Sequence, residues 1–167
     1  ALAEGVDNCT TENCGHVAAI GTTHYSTLQA AVDEAARNAT VKLLADTKEN
    51  VTISTRGVTL DLNGFTLNGS TGERKPALTI TERYVTIKDS SEGQTGTIMR
   101  EDTAENSDVS SHYVIDVQGA GLLTFESGNV KNDSGAGGTK GASLVRIGTD
   151  DQPTWKPQLT IKGGTFT

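Results

Sequence analysis

A short pattern of alternating apolar and polar residues occurs four times along this chain. Each copy reads apolar–x–apolar–polar and then turns through small or polar residues; the copies are LDLNGFTL (60–67), VTIKDS (85–90), LTFESGNV (123–130) and LTIKGGTF (159–166). Another short apolar stretch precedes each of the last three, at 77–80, 113–117 and 143–147. Successive side chains of a strand point to opposite faces, so every copy predicts a strand with one buried face. Self-similar units without helices between them are typical of repeat architectures.

The repeat predicts an all-β fold in which three short strands and their turns make one coil of a parallel β-solenoid. Each coil would bury its apolar face against its neighbours. A β-sandwich is the alternative, but sandwich strands need not resemble one another, whereas these copies do. The composition agrees, because only 4% of the residues are aromatic while 19 glycines provide turns. The variable length of the units falls in polar segments 99–112 and 131–142, which we expect to be protruding loops.

The N-terminal part has a different, helical periodicity. Apolar residues at the spacing of one helical face predict an amphipathic helix over about 26–37: Leu28, Ala31, Val32, Ala35 and Ala36. Ser26 and Gln29 have the spacing of a capping box at its start, and a short hairpin turning at Gly21–Thr22 precedes it. We expect residues 1–38 to form a cap on the first coil and residues 39–167 to form the coils. Because the chain stops within a repeat, we also expect further coils beyond residue 167.

Two cysteines lie in the polar stretch CTTENC, and a disulfide between Cys9 and Cys14 is the favoured interpretation. A second interpretation adds His16 and His24 and makes C-x4-C-x-H-x7-H a metal site, although this spacing matches no standard zinc pattern. Free thiols are the third interpretation. The initial Ala-Leu-Ala resembles the small-residue end of a cleaved secretory signal, although an expression scar would look the same. Together these features favour a secreted or cell-surface location.

Four segments carry a family resemblance: YSTLQAAVDEA, ATVKLLADTKENVTI, VTLDLNGFTLNGS and VTIKDSSEGQTGTI. They resemble pectate-lyase-like modules in the N-terminal regions of large secreted, adhesin-like surface proteins of gut bacteria. The resemblance covers roughly residues 17 to 167. It implies a right-handed parallel β-helix, with the N-terminal helix as its cap. It supports a fold far more than an activity.

Stacking the four copies aligns the outward side chains. We expect one row of Asp61, Thr86, Thr124 and Thr160 and a second row of Asn63, Lys88, Glu126 and Lys162. Glu126 would then lie between two lysines in a solvated charge ladder. Asp61 would have no second carboxylate beside it, as a glycosidase needs, so we assign no catalytic residue.

Other candidate site residues lie in loops. Trp155, flanked by two prolines, could stack on a sugar ring, and Asp133 and Lys140 lie in a glycine-rich stretch that lacks a complete phosphate-binding motif. Asp150 and Asp151 are calcium candidates, and we expect no other cofactor. We therefore assign these residues only as ligand-binding or metal candidates.

The sequence favours a non-catalytic module of an exported bacterial surface protein, acting in adhesion, ligand presentation or as a stalk. The alternatives are an accessory domain of a large secreted peptidase or polysaccharide-degrading enzyme and, less favoured, a polysaccharide lyase. The net charge of −7 argues against nucleic acid, and no apolar run approaches the roughly 20 residues that span a membrane. Expected partners are a surface glycan or protein, or a second copy bound through the open coil end.

Overall fold

The computed structural model describes residues 6–7, 14–73, 75–101, 113–134, 143–148 and 156–167. The first elements form a small antiparallel unit: strands β1 (Val6–Asp7), β2 (Ala18–Ile20) and β3 (Thr23–Tyr25), and helix α1 (Leu28–Glu34). Strands β2 and β3 form a hairpin closed by Gly21 and Thr22. Gly21 has a φ of 57°, a left-handed conformation that glycine adopts without strain. Strand β2 also pairs with β4 (Thr40–Leu43), which joins this unit to the coils.

The remaining strands follow one another in four sets of three and a last set of two, and each set of three adds one strand to each of three sheets. The first three sets are β4 (Thr40–Leu43), β5 (Thr47–Lys48) and β6 (Val51–Ile53); β7 (Thr59–Asp61), β8 (Thr66–Asn68) and β9 (Leu78–Ile80); and β10 (Val85–Lys88), β11 (Thr97–Arg100) and β12 (Ile115–Val117). The last two are β13 (Leu122–Phe125), β14 (Asn129–Asn132) and β15 (Val145–Ile147), then β16 (Gln158–Ile161) and β17 (Thr165–Phe166).

The strand orders define the three sheets. Sheet 1 has the order β1-β3-β2-β4-β7-β10-β13-β16, sheet 2 the order β17-β14-β11-β8-β5, and sheet 3 the order β15-β12-β9-β6. Apart from the antiparallel N-terminal unit, all pairings are parallel. The chain is thus mostly β, with parallel sheets in a solenoid-like arrangement, as the repeat predicted.

Alternate residues of the parallel strands point into the space between the sheets. In sheet 1 the aligned inward residues are Val41, Leu60, Ile87, Phe125 and Ile161. The first four are completely buried, whereas Ile161 on the last strand is 53% exposed because a strand packs on only one side of it. Each coil therefore supplies one side chain to a continuous apolar stack, which is the stabilising unit of repeat folds.

The register differs from the predicted alignment at the first copy. Leu60 lies beside Ile87 and not beside Val85, so Asp61 aligns with Lys88 rather than with Thr86. A shift by two residues keeps the same side chains facing inward, so the pattern V-x-L-x-L at 58–62 fits either alignment. The outward row beside it consists only of threonines: Thr40, Thr59, Thr86, Thr124 and Thr160. Of the predicted charge ladder, Glu126 and Lys162 lie within 4.0 Å of each other.

Helix α1 is shorter than the predicted 26–37 and begins differently. Its N-cap is Thr27, whose hydroxyl accepts a hydrogen bond from the Ala30 backbone N–H at 3.1 Å. The predicted capping box of Ser26 and Gln29 is therefore wrong, because Thr27 occupies the N-cap. Leu28, Ala31 and Val32 are buried against the coils, in one apolar core with the strands.

Candidate ligand-binding groove

A groove of about 440 Å³ lies on the outer face of sheet 3, beside helix α1. Its lining comes from the helix, the first two coils and the loop that leads into β9: Gln29, Asp33, Asn50, Val51, Thr52, Lys75, Pro76 and Thr79. Most of these side chains carry hydroxyl, amide, carboxylate or ammonium groups. The groove therefore offers both hydrogen-bond donors and acceptors to a bound molecule.

One wall is helix α1, and Gln29 holds it in place. The Gln29 side-chain amide donates to the Thr52 carbonyl at 3.1 Å, and its carbonyl oxygen accepts from the Thr52 N–H at 2.8 Å. The same amide donates to Asp33 at 2.8 Å. The Glu49 carboxylate accepts from the Leu28 and Gln29 N–H groups at the start of the helix, at 2.8 and 3.1 Å. An anion at this end also complements the helix dipole, so the wall is fixed from two sides.

The opposite wall is the loop between β8 and β9, described at 69–73 and 75–77 and called loop 69–77 below, and two side chains hold it in place. The Asn50 amide donates to the carbonyls of Gly69, Lys75 and Pro76 at 2.8, 3.2 and 3.1 Å. The Arg100 guanidinium, which is 1% exposed, donates to the Lys75 carbonyl and to the Glu73 carbonyl. Asn50 belongs to the first coil and Arg100 to the third, so the loop of the second coil is fixed by both of its neighbours.

The outward row of sheet 3 continues beyond the groove as Thr52, Thr79, Asp116 and Arg146. Arg146 donates to both carboxylate oxygens of Asp116, at 3.0 and 2.6 Å, and its guanidinium lies 4.5 Å from the centre of the Tyr113 ring. The hydrogen bonds to Asp116 raise the pKa of Arg146. Asp116 is 4% exposed and also accepts from the Gln118 amide at 2.6 Å. The Asp116 carboxylate is thus paired within the fold, and Tyr113 and Arg146 form a partly exposed edge to the row.

Chemically, the groove is suited to a ligand that carries several hydroxyl groups. The hydroxyls of Thr52 and Thr79 can donate and accept hydrogen bonds, the Asp33 carboxylate can accept them and the Lys75 ammonium can donate them. The two side-chain amides of the lining are already engaged in holding the walls. Both walls are held by hydrogen bonds in the protein alone, so little ordering would accompany binding. A preorganised site of this kind loses less conformational entropy when it binds.

Most of the predicted site residues lie outside the described part of the chain: Cys9, Lys140, Asp150, Asp151 and Trp155. Asp133 is described, but it lies after β14 in sheet 2 and is not part of the groove. Its carboxylate pairs with Lys131 at 2.5 Å on the surface. Among the described residues no disulfide forms, and the thiol of Cys14 lies beside His16 and His24.

The groove itself was not predicted, and Arg100 shows why. The sequence placed Arg100 in a protruding loop at 99–112, but it is the last residue of β11 and is buried under loop 69–77. Similarly, Lys131 and Asn132 belong to β14 and not to a loop. An arginine at the end of a short strand is typical of a solvated position, and only the neighbouring coil shows what covers it. The pairing of Asn50 with loop 69–77 likewise has no periodic signal in the sequence.

No family model, curated protein or solved structure matches the chain. Within the described ranges, no helix has the length and apolar character needed to cross a membrane.

Proposed function

We propose that this chain is a right-handed parallel β-helix module of an exported bacterial surface protein, and that it binds a polyhydroxylated ligand such as a surface glycan. The solenoid-like arrangement supports this proposal, since three parallel sheets grow by one strand with every coil. Parallel strands are joined by right-handed crossovers in almost all known sheets, which favours the right hand. The resemblance to adhesin-like modules agrees with the same location and role.

One observation carries the functional part of the proposal: a polar groove with two fixed walls lies on the outer face of the coils. The hydrogen bonds that form the walls come from buried or half-buried groups, Arg100 and Asn50 under the loop and Gln29 on the helix. The ligand-facing groups are the hydroxyl, carboxylate and ammonium groups that recognise sugars by hydrogen bonding.

The proposal also makes the module non-catalytic. Two acidic groups near the groove already take part in the fold, because Asp116 is paired with Arg146 and Asp33 accepts from Gln29. A general acid in glycoside cleavage would instead need a carboxyl group with a raised pKa beside the bond that breaks. The groove is then a recognition surface, and any reaction would belong to another part of the parent protein.

The test is binding of the protein to an array of mucin glycans, plant polysaccharides and host matrix proteins. Thr79→Trp places a large side chain on the groove floor, and Thr86→Trp is the matched control on the outer face of sheet 1. Both threonines are half-buried and lie on internal strands of their sheets. We expect a selective glycan signal that Thr79→Trp abolishes and Thr86→Trp retains.

Two results would contradict the proposal. A blank array would argue against recognition by this segment and leave it a spacer. A signal that both variants retain would place the binding surface outside the groove. Circular dichroism of the two variants shows whether each keeps the β-rich fold before its binding is interpreted.

A further inference from the structure

Three side chains near the start of the chain bring a sulfur and two imidazole nitrogens together. The Sγ atom of Cys14 lies 2.9 Å from Nδ1 of His16 and 3.0 Å from Nδ1 of His24. One potential ligand atom from each residue lies within 4.8 Å of the other two. The two imidazole rings meet edge to face, with centroids 6.2 Å apart. This cluster is separate from the groove and has no part in the proposed glycan recognition.

The hairpin of β2 and β3 is what assembles the cluster. His24 lies within β3, between β1 and β2 in sheet 1, and is 8% exposed. The Val17 N–H donates to the Tyr25 carbonyl at 3.0 Å, so the segment just before β2 lies alongside the end of β3. Cys14 and His16 are in that segment and are half-buried. Strand pairing therefore brings residues ten positions apart to one place.

The three groups have the chemistry of a zinc site. Zinc in proteins binds cysteine thiolate and histidine nitrogen, commonly in tetrahedral geometry, with bonds of about 2.3 Å to sulfur and about 2.0 Å to nitrogen. A tetrahedron with these bonds separates sulfur from nitrogen by roughly 3.5 Å, so each imidazole would move outward by about half an ångström. Cys14 and His16, being partly exposed, have room for such a movement.

We propose that Cys14, His16 and His24 bind one zinc ion. The Cys14 thiol loses its proton to solvent on binding, and both histidines bind as neutral imidazoles. The ion would fasten the segment before β2 onto β3, and so hold the N-terminal hairpin together. A disulfide from Cys14 to Cys9 would consume the same sulfur, so the two states exclude each other.

The experiment uses the whole chain, reduced and freed of metal, with zinc added at increasing concentration. Native mass spectrometry and calorimetry measure stoichiometry and affinity. Cobalt(II) then reports the ligands, since a thiolate ligand gives a charge-transfer band in the near ultraviolet. We expect one zinc per chain and this cobalt band, with affinity lowered at least tenfold in Cys14→Ser and in His16→Ala. His112→Ala, which removes the remaining histidine, is the matched control and should bind as the unchanged chain does.

Zinc should also raise the melting temperature of the unchanged chain but not that of Cys14→Ser, because an ion that binds only the folded state stabilises it. Far-ultraviolet circular dichroism establishes that both variants are folded. Failure to bind stoichiometric zinc would overturn the proposal, and so would cobalt binding without the thiolate band. Equal affinity in folded Cys14→Ser would overturn it as well, and the three residues would then form only a hydrogen-bonded cluster.

Discussion

The Gln29 side chain hydrogen-bonds to both backbone polar groups of Thr52, accepting from its N–H at 2.8 Å and donating to its carbonyl at 3.1 Å. Thr52 lies on β6, the edge strand of sheet 3, and no further strand among the described residues pairs with it on that side. Unpaired edge groups invite pairing with another chain. The glutamine therefore replaces one residue of a neighbouring strand, and the helix that carries it ends the sheet.

Gln29→Ala should lower the free energy of unfolding by about 1–2 kcal/mol, since it removes both hydrogen bonds to Thr52 and the exposed one to Asp33, which water replaces only in part. Urea denaturation monitored by circular dichroism measures the change. Gln158→Ala, at an exposed position on β16, is the control and should change stability by less than about 0.5 kcal/mol. An equal loss in both variants would mean that the Gln29–Thr52 contact contributes nothing of its own.

The coils could be predicted from the sequence because their signal is periodic. Alternation at 85–88, 123–125 and 159–161 specifies which side chains face inward, and the structure aligns Val85 with Leu123 and Leu159 as expected. Alternation cannot distinguish registers two residues apart, which explains the error at Leu60. Contacts such as Gln29 with Thr52 depend on which strand is at an edge. That is a property of the assembled sheet, not of any local pattern.

Arg146→Ala should destabilise the protein by roughly 1–3 kcal/mol, because it leaves the buried Asp116 carboxylate without its cationic partner. Arg146→Lys should recover only part of the loss, since an ammonium cannot form the two parallel hydrogen bonds of the guanidinium. Thermal and urea denaturation of both variants measure these losses. The single variant Asp116→Asn and the double variant of both residues complete a thermodynamic cycle. If the losses of unfolding free energy in the two single variants add up to that of the double variant, the two side chains are not coupled.

Asp89 should make the protein sensitive to acid. Its burial alone would raise the pKa of the carboxyl, but hydrogen bonds from Ser91, Gly96 and Gly64 outweigh this effect and lower the pKa below its usual value of 3.8. A lowered pKa in the folded state stabilises the protein above the unfolded-state pKa. That contribution is lost as the pH falls through the folded-state pKa.

Asp89→Asn should therefore cost roughly 1.5–3 kcal/mol at neutral pH, the usual worth of hydrogen bonds to a charged group. Its stability should also fall less than that of the unchanged chain as the pH drops below about 4. Urea denaturation at several pH values measures both effects. Asp133→Asn, at an exposed ion pair, is the control and should change little. Parallel pH profiles for the unchanged chain and Asp89→Asn would contradict the assignment.

The groove and the cluster of Cys14, His16 and His24 differ in how far the sequence could predict them. Cys14, His16 and His24 are thiol and imidazole groups, and these residue types raised the metal interpretation although their spacing matches no standard zinc pattern. Asn50 and Arg100 belong to common residue types, and their role follows only from the carbonyls of loop 69–77 that they meet. Sites made of rare chemical groups can be recognised in a sequence. Sites made by stacking one coil on another require the three-dimensional register.

Gly96 is required by close packing at the turn before β11. A Cβ atom at this position would lie 2.5 Å from Cβ of Leu62 and 2.6 Å from a carboxylate oxygen of Asp89. Leu62 cannot withdraw, because its Cβ is fixed to the backbone of the neighbouring coil. Gly96→Ala should therefore destabilise the protein by about 2–3 kcal/mol through overpacking.

Gly93→Ala is the matched control, since a Cβ there meets only a methyl group of Thr95 at 3.3 Å. This variant should stay within about 0.5 kcal/mol of the unchanged chain. Urea denaturation measures the free energy of unfolding of both variants. A Gly96→Ala protein as stable as the unchanged chain would show that the second and third coils are packed less closely than this turn indicates.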